Sequence, residues 1–191
     1  MFARGIANVV ARCAVHGIRS ISKSPMDALV FSGRVVTGIG CHADLIVPGR
    51  HVLAEVDDGW PVRLYPGSLN VRVLHFPAAF KEHGLTEDVE ALDSGQFAPT
   101  FEIPRDLLGN NKLGPSRGMS RRGDAQVWRA RIDAGQGVTL ECWMLRRFGS
   151  KVGSQLELVA GGRLRDAGLL DDQPVSVVIY GRWRQIEPTI S

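Results

Sequence analysis

A hydroxyl and a carboxamide stand two residues apart just after a Pro-Gly turn, and both could serve a cation. Ser68 and Asn70 follow Pro66-Gly67, in which proline presets φ at one corner and glycine readily adopts the positive φ that follows. Side-chain oxygens of this kind suit a hard cation such as Mg²⁺, or the surroundings of a phosphate. They also suit hydrogen bonds from side chain to backbone that cap a turn. From these residues alone, both interpretations stay open.

The residues after the turn alternate between apolar and polar side chains. Leu69, Val71 and Val73 are apolar, and polar residues separate them. This period of two predicts a half-buried strand, in which every second side chain points to the same face. Ser68 and Asn70 are therefore expected to project side by side from the polar face of that strand.

A glycine-rich segment earlier in the chain is a second candidate for ligand binding. Residues 29–37 form a β-rich run, Gly38-Ile39-Gly40 interrupts it, and residues 45–47 resume it. A glycine-rich loop between two strands lets backbone N–H groups approach a phosphate, although most such loops are ordinary hairpins. Because no helix pattern follows, neither the dinucleotide-binding fingerprint nor the phosphate-binding loop of nucleotide triphosphatases applies.

The rest of the chain indicates a mainly β domain. Further strands are predicted at residues 125–132, 137–145, 156–160 and 175–180. Residues 80–92 are consistent with one amphipathic helix, and residues 166–170 with a short one. Periodicity fades over residues 78–124, and residues 108–122 are rich in glycine, asparagine, serine and arginine, which predicts a loop-rich insertion at 78–124. Its basic side chains form either a solvated loop or a flap that faces an anion.

Composition narrows the class of protein. The chain has 191 residues, 44% of them hydrophobic, which is enough for one domain with a buried core. The net charge of +3 permits an anionic ligand but does not call for nucleic acid. Cys13, Cys41 and Cys142 have no spacing typical of a zinc site or disulfide framework, so we expect a reducing, cytoplasmic compartment. No apolar run approaches the ~20 residues that span a membrane, so no membrane partner is expected.

The first 26 residues differ from the rest of the chain. Their charged residues are Arg4, Arg12, Arg19 and Lys23, and no acidic residue precedes Asp27. This pattern is typical of an organellar transit peptide, and an equally good interpretation is an extension upstream of a true start at Met26. Either way, we expect a poorly ordered extension at residues 1–26 and a single β-barrel domain at residues 27–186, with 78–124 as the insertion.

Four features in a fixed order resemble the archaeal CTP-dependent riboflavin kinases. They are the glycine segment that runs from Gly33 to Gly40, the turn and strand at residues 65–71, the strand at 156–160, and Leu164-Arg165 followed by residues 169–172 and a strand. The family has a GxVxxGxG loop, a PGTLNV turn and an LEIIAPxxLRxxLxLxDGDxV ending in the same order. The similarity covers residues 31–73 and 125–179. It implies a small closed β-barrel of the cradle-loop type with one or two short helices.

The resemblance also implies roles for individual residues. Ser68 and Asn70 lie where the family's threonine and asparagine hold Mg²⁺. Glu157 matches a glutamate that contacts the flavin and serves as the catalytic candidate. Counting back from it, the family's flavin-contacting threonine falls on Gly149, so the adjacent Ser150 is the second flavin candidate. The residues implied to contact the cytidine nucleotide are Gly38, Ile39, Gly40, Cys41, His42, Ala43, Asp44, Gly162, Arg163, Leu164 and Arg165.

The function expected from this resemblance is Mg²⁺-dependent transfer of the terminal phosphate of CTP, or another nucleoside triphosphate, to riboflavin, giving FMN. Such a reaction needs positioned phosphates, neutralised charge and an aligned acceptor hydroxyl. A non-catalytic module that binds a nucleotide or metabolite on the same barrel is the main alternative. DNA binding, known among small dimeric cradle-loop barrels, ranks last because the charge is modest and the chain is longer than those proteins.

Overall fold

The computed structural model describes residues 26–38, 59–61, 64–105, 123–151 and 153–184. The candidate nucleotide loop at residues 39–44 and almost all of the N-terminal extension lie outside these ranges. Within the described ranges, no helix is both long and apolar enough to cross a membrane.

Eight strands and three short helical segments make up the regular structure of the described residues. The strands are β1 (Asp27–Val36), β2 (Leu69–His75), β3 (Phe97–Ala98), β4 (Phe101–Ile103), β5 (Ala125–Asp133), β6 (Thr139–Arg147), β7 (Gln155–Val159) and β8 (Pro174–Trp183). The helical segments are α1 (Ala78–Glu82) and two 3₁₀ helices, Val89–Ser94 and Leu164–Ala167. The strands predicted at residues 29–37, 69–73, 125–132, 137–145, 156–160 and 175–180 are confirmed to within a few residues at each end. The strand predicted at residues 45–47 lies outside the described residues.

Six of the strands close into an antiparallel barrel. Their order is β8-β1-β2-β7-β6-β5, and β5 pairs back with β8 to complete the circle. β3 pairs with β8 and β4 with β5, and both lie outside the closed ring. The expected mainly β, small closed barrel is thus confirmed. Closure leaves the six strands without an open edge, so every strand has hydrogen-bonding partners on both sides.

Alternate residues of the strands fill the barrel interior. Phe31, Val71, Trp128, Leu158 and Ile179 come from five different strands, and each is fully buried. Burying one such side chain stabilises the fold by about 1.5–3 kcal/mol. The residues between these positions point outward, so the sequence alternation decides which polar side chains are available on the outer surface of the barrel.

A second apolar cluster covers part of that outer surface. The Trp60 ring lies 5.0 Å from Phe101 and 5.2 Å from Trp143, measured between ring centroids, in edge-to-face arrangements. Val159 of β7 belongs to the same cluster. Trp60 therefore packs against the outer face of β5, β6 and β7.

The prediction of a single helix over residues 80–92 is wrong. The chain instead forms α1, turns at Gly84 with a φ of +67°, and starts a 3₁₀ helix whose first turn is capped by Asp88. The Asp88 carboxylate accepts a hydrogen bond of 2.7 Å from Glu90 N, which favours a new helix start over continuation. Both short segments pack on the barrel, since Phe80 and Leu92 are fully buried in the interior cluster.

Gly33 is required by a close approach between β1 and β2. The pairing register shifts between Ser32 and Gly33. A Cβ atom at Gly33 would overlap the Arg72 carbonyl oxygen and come within 2.9 Å of Val71 Cγ1. We expect Gly33→Ala to lower the free energy of unfolding by about 1–3 kcal/mol, because backbone cannot yield as a side chain can.

Urea denaturation of the Gly33→Ala variant and of the unmodified protein measures this loss of stability. Gly162→Ala is the control, because a Cβ at Gly162 meets nothing within 4 Å; its effect should stay within about 0.5 kcal/mol. Equal stabilities of the two variants would contradict the prediction.

Candidate functional site

Asn70 and Glu157 are direct neighbours on the outside of the barrel. They are paired positions of β2 and β7, and Val36 of β1 is paired with Asn70 on the other side. Leu69 and Val71 face the interior core, so Asn70 points the other way, and Glu157 shares its face. Side chains at paired antiparallel positions lie within interaction range. The structure therefore brings together a carboxamide and a carboxylate that are 87 positions apart in the sequence.

The start of the glycine-rich segment lies against Asn70. A Cβ at Gly38 would overlap the Asn70 carboxamide group, so any larger residue would have to displace that carboxamide from its present position. Asn70 is 5% exposed, which shows that its polar side chain is held in a covered position rather than in open solvent. The glycine motif and the asparagine motif, predicted separately, thus meet at one point.

A cleft of about 210 Å³ joins the Pro-Gly turn to the second candidate nucleotide segment. Ser68 lines one side, and Gly162 and Arg163 line the other. The backbone supports this arrangement, because Tyr65 N donates a hydrogen bond of 2.8 Å to Ala160 O. The remaining lining residues are Tyr65, Gly67, Leu69, Leu158, Ala160, Leu164 and Arg165.

Arg165 ties this segment to the end of β1. Its Nη2 lies 2.6 Å from Asp171 Oδ1 and donates to Val36 O at 3.3 Å. Thr37 Oγ1 donates to the other Asp171 oxygen at 2.7 Å. The Thr37 hydroxyl, and next the Arg165 guanidinium, lower the pKa of Asp171 from its usual value. This Thr37–Asp171–Arg165 bridge holds the 162–165 segment beside the residues that lead into the glycine loop.

The bridge predicts a pH dependence of stability. Because folding lowers the pKa of Asp171, its contribution is present above the carboxyl's ordinary pKa of about 4 and is lost as the pH falls through the lower folded value. We expect Asp171→Asn to lower the urea midpoint at pH 6, and the difference from the unmodified protein to shrink towards zero as the pH falls through the lowered pKa of Asp171 in the folded protein.

Asp172→Asn is the matched control, because it removes the same charge one residue further along. The hydrogen bonds of Asp172 within the described structure come from its backbone. A pH-independent effect of Asp171→Asn, or an equal effect of Asp172→Asn, would contradict the role of the bridge.

Ser150, the second flavin candidate, lies beside Arg146 rather than in the lining of the cleft. It is 3% exposed, and its carbonyl oxygen accepts a hydrogen bond of 3.0 Å from Arg146 Nη2. Arg146 in turn binds Asp93 through two hydrogen bonds of 2.7 and 2.9 Å. Ser150 follows β6, and it is not among the residues that line the cleft.

Three contributors to the site were not singled out from the sequence. Thr37 and Asp171 lie within the motif ranges 33–40 and 169–172, but no role was predicted for either, because the 134 positions between them hide their pairing. Tyr65 precedes the Pro-Gly turn and is 39% exposed at the cleft. An aromatic residue directly before a Pro-Gly turn is the sequence signal that could have found it.

The residues present suit Mg²⁺ only in combination with a phosphate ligand. Across the described residues, no group of three or more His, Cys, Asp or Glu side chains is placed to hold a metal ion. Ser68 and Asn70 offer neutral oxygen atoms, which Mg²⁺ accepts when substrate phosphates supply the negative charge. By their chemistry these two side chains suit a cation that arrives with a nucleotide; Ser68 lines the cleft, whereas Asn70 lies against Gly38.

Comparison with known proteins gives no assignment. No protein-family model matches the chain, and no curated protein matches it.

Proposed function

We propose that this protein transfers the terminal phosphate of CTP, or another nucleoside triphosphate, to the 5′-hydroxyl of riboflavin to give FMN. The main support is the meeting of three distant segments at one end of the barrel. Gly38 packs on Asn70, Tyr65 N binds Ala160 O, and Asp171 joins Thr37 to Arg165. A phosphate donor needs such a convergence of glycine backbone, oxygen ligands and arginine.

Each residue has a role in this proposal. Ser68 and Asn70 would hold Mg²⁺, which neutralises charge on the phosphates when bound. Arg163 would bind a phosphate oxygen, since its side chain is 53% exposed and its contact with Asp166 is a long 3.6 Å. Glu157 would orient the acceptor hydroxyl and accept its proton while the hydroxyl oxygen bonds to phosphorus. The bond from phosphorus to the bridging oxygen breaks, and the nucleoside diphosphate leaves.

The direct test is incubation of the full chain with riboflavin, Mg²⁺ and each nucleoside triphosphate in turn, with FMN separated by chromatography. We expect FMN with at least one donor and none without Mg²⁺. Arg163→Ala should raise the KM for the nucleotide by about tenfold. Lys81→Ala is the control, because Lys81 of α1 is 74% exposed and pairs with Glu87. Absence of FMN with every donor would refute the proposal.

One observation favours the non-catalytic alternative, a nucleotide-binding module. Gly149 occupies the position of the expected flavin-contacting threonine, with a φ of +73°. The neighbouring Ser150 is buried beside Arg146. Calorimetry that detects CTP binding, combined with no FMN in the assay above, would support this alternative over the kinase.

A further inference from the structure

A second pocket of about 280 Å³ lies on the outer face of the barrel beside the cleft. Arg129, Glu141 and Trp143 line it, together with the small residues Gly59, Ala160 and Gly161. Ala160 is shared by both cavities, Gly161 lines this pocket, and Gly162 lines the cleft. The backbone of residues 160–162, whose largest side chain is the methyl group of Ala160, therefore separates the pocket from the cleft.

This pocket, named here the Arg129–Trp143 pocket, lies on the same outer face as the Asn70–Glu157 pair. Arg129 is paired with Trp143, and Trp143 with Val159. Val159 is two residues beyond Glu157 on β7, so the two side chains share a face. The Asn70–Glu157 pair and this pocket thus lie on one face of the sheet, with the buried side chains of Val159 and Trp143 between them.

The two ends of the segment between Gly38 and Gly59 also lie on this surface. Gly38 contacts Asn70, and a Cβ at Gly59 would come within 2.8 Å of Arg129 Nη2. Gly38 therefore lies beside the candidate metal ligand Asn70, and Gly59 lies beside Arg129 of the pocket.

The chemistry of the pocket suits the edge of a planar heterocycle. The Arg129 guanidinium lies 5.5 Å from the centroid of the Trp143 ring, which restrains the orientation of its N–H groups. A guanidinium has five N–H donors, so it can bind a ligand carbonyl while keeping other contacts. Glu141 supplies an exposed carboxylate acceptor at the rim. The Arg129 guanidinium can donate to a carbonyl oxygen on the edge of a ring, and the Glu141 carboxylate can accept from an N–H beside that carbonyl.

We infer that the Arg129–Trp143 pocket is the acceptor subsite and binds a heterocycle through an imide edge, as riboflavin presents. This inference rests on the proposed function and adds Arg129 and Glu141 as specificity-determining residues. A volume near 280 Å³ accommodates the ring edge, while the ribityl chain extends along the surface towards Glu157 and the cleft.

Titration of riboflavin fluorescence with the full chain, with and without CDP and Mg²⁺, tests the inference without turnover. We expect Arg129→Lys and Glu141→Gln each to weaken riboflavin binding by about tenfold. The controls are Arg131→Lys, two residues along the same face of β5, and Glu102→Gln on β4; neither residue lines the pocket. Riboflavin methylated at N3 should bind the unmodified protein more weakly, with little further loss in Glu141→Gln.

The outcomes separate the two proposals. FMN formation with unchanged riboflavin affinity and KM in Arg129→Lys and Glu141→Gln would overturn the acceptor subsite and leave the kinase standing. Flavin binding that depends on both residues, without FMN, would overturn the kinase and leave the subsite. No flavin binding and no FMN in the unmodified protein would overturn both.

Discussion

Asn70→Ala is expected, under the proposed kinase function, to reduce FMN formation by more than about a hundredfold, because its carboxamide would be an oxygen ligand of the cation that the transferred phosphate requires. The carboxamide is a suitable target because Gly38 packs directly on it and Glu157 lies opposite it in the neighbouring strand. Ser68→Ala should act in the same direction, since the hydroxyl lines the cleft. The measurement is the initial rate of FMN formation over a range of Mg²⁺ concentrations.

The control for this prediction is Arg72→Ala, on the same face of β2 two residues further along and exposed to solvent. It should leave the rate within a factor of about two, since surface residues away from a site have small effects. Circular dichroism and urea denaturation show whether Asn70→Ala remains folded. Folded Asn70→Ala and Ser68→Ala proteins with full turnover would refute the metal assignment.

Asp93→Ala is expected to lower the free energy of unfolding by about 3–5 kcal/mol, because it leaves the buried Arg146 charge without its counterion. Arg146 is 3% exposed and Asp93 18%. Their two hydrogen bonds of 2.7 and 2.9 Å are joined by a third, from Gly149 N to Asp93 Oδ2 at 3.0 Å. Since a domain of this kind is stable by only about 5–15 kcal/mol, such a loss is visible in a urea or thermal melt.

Glu90→Ala is the matched control. Glu90 belongs to the same 3₁₀ helix and pairs with Lys151 at 3.0 Å, but the Lys151 side chain is 82% exposed, so the loss should stay below about 1 kcal/mol. The double variant Asp93→Ala/Arg146→Met should recover part of the stability, because it removes the unpaired charge. A cost for Asp93→Ala no greater than that of Glu90→Ala would contradict the prediction.

The strands were predictable because a period of two is a local property of the chain. The alternation after Gly67 predicted Leu69 and Val71 on the face opposite Asn70, and the structure confirms that both apolar side chains join the interior core without Asn70. That Asn70 is nevertheless only 5% exposed was not predictable from the alternation. The helix over residues 80–92 failed because short apolar runs do not distinguish one helix from two. There, Gly84 at positive φ and the Asp88 cap decided the outcome.

The sequence by itself thus determined the class of fold and the kinds of side chain that could hold a phosphate or a cation. Only the tertiary structure decided which of them meet: Asn70 with Glu157, Arg146 with Asp93 and Arg129 with Trp143. These partners depend on strand order and on register, and a shift of one residue would turn Glu157 to the other face of its strand. Local alternation is the same in every strand order, which is why it could not reveal the pairs.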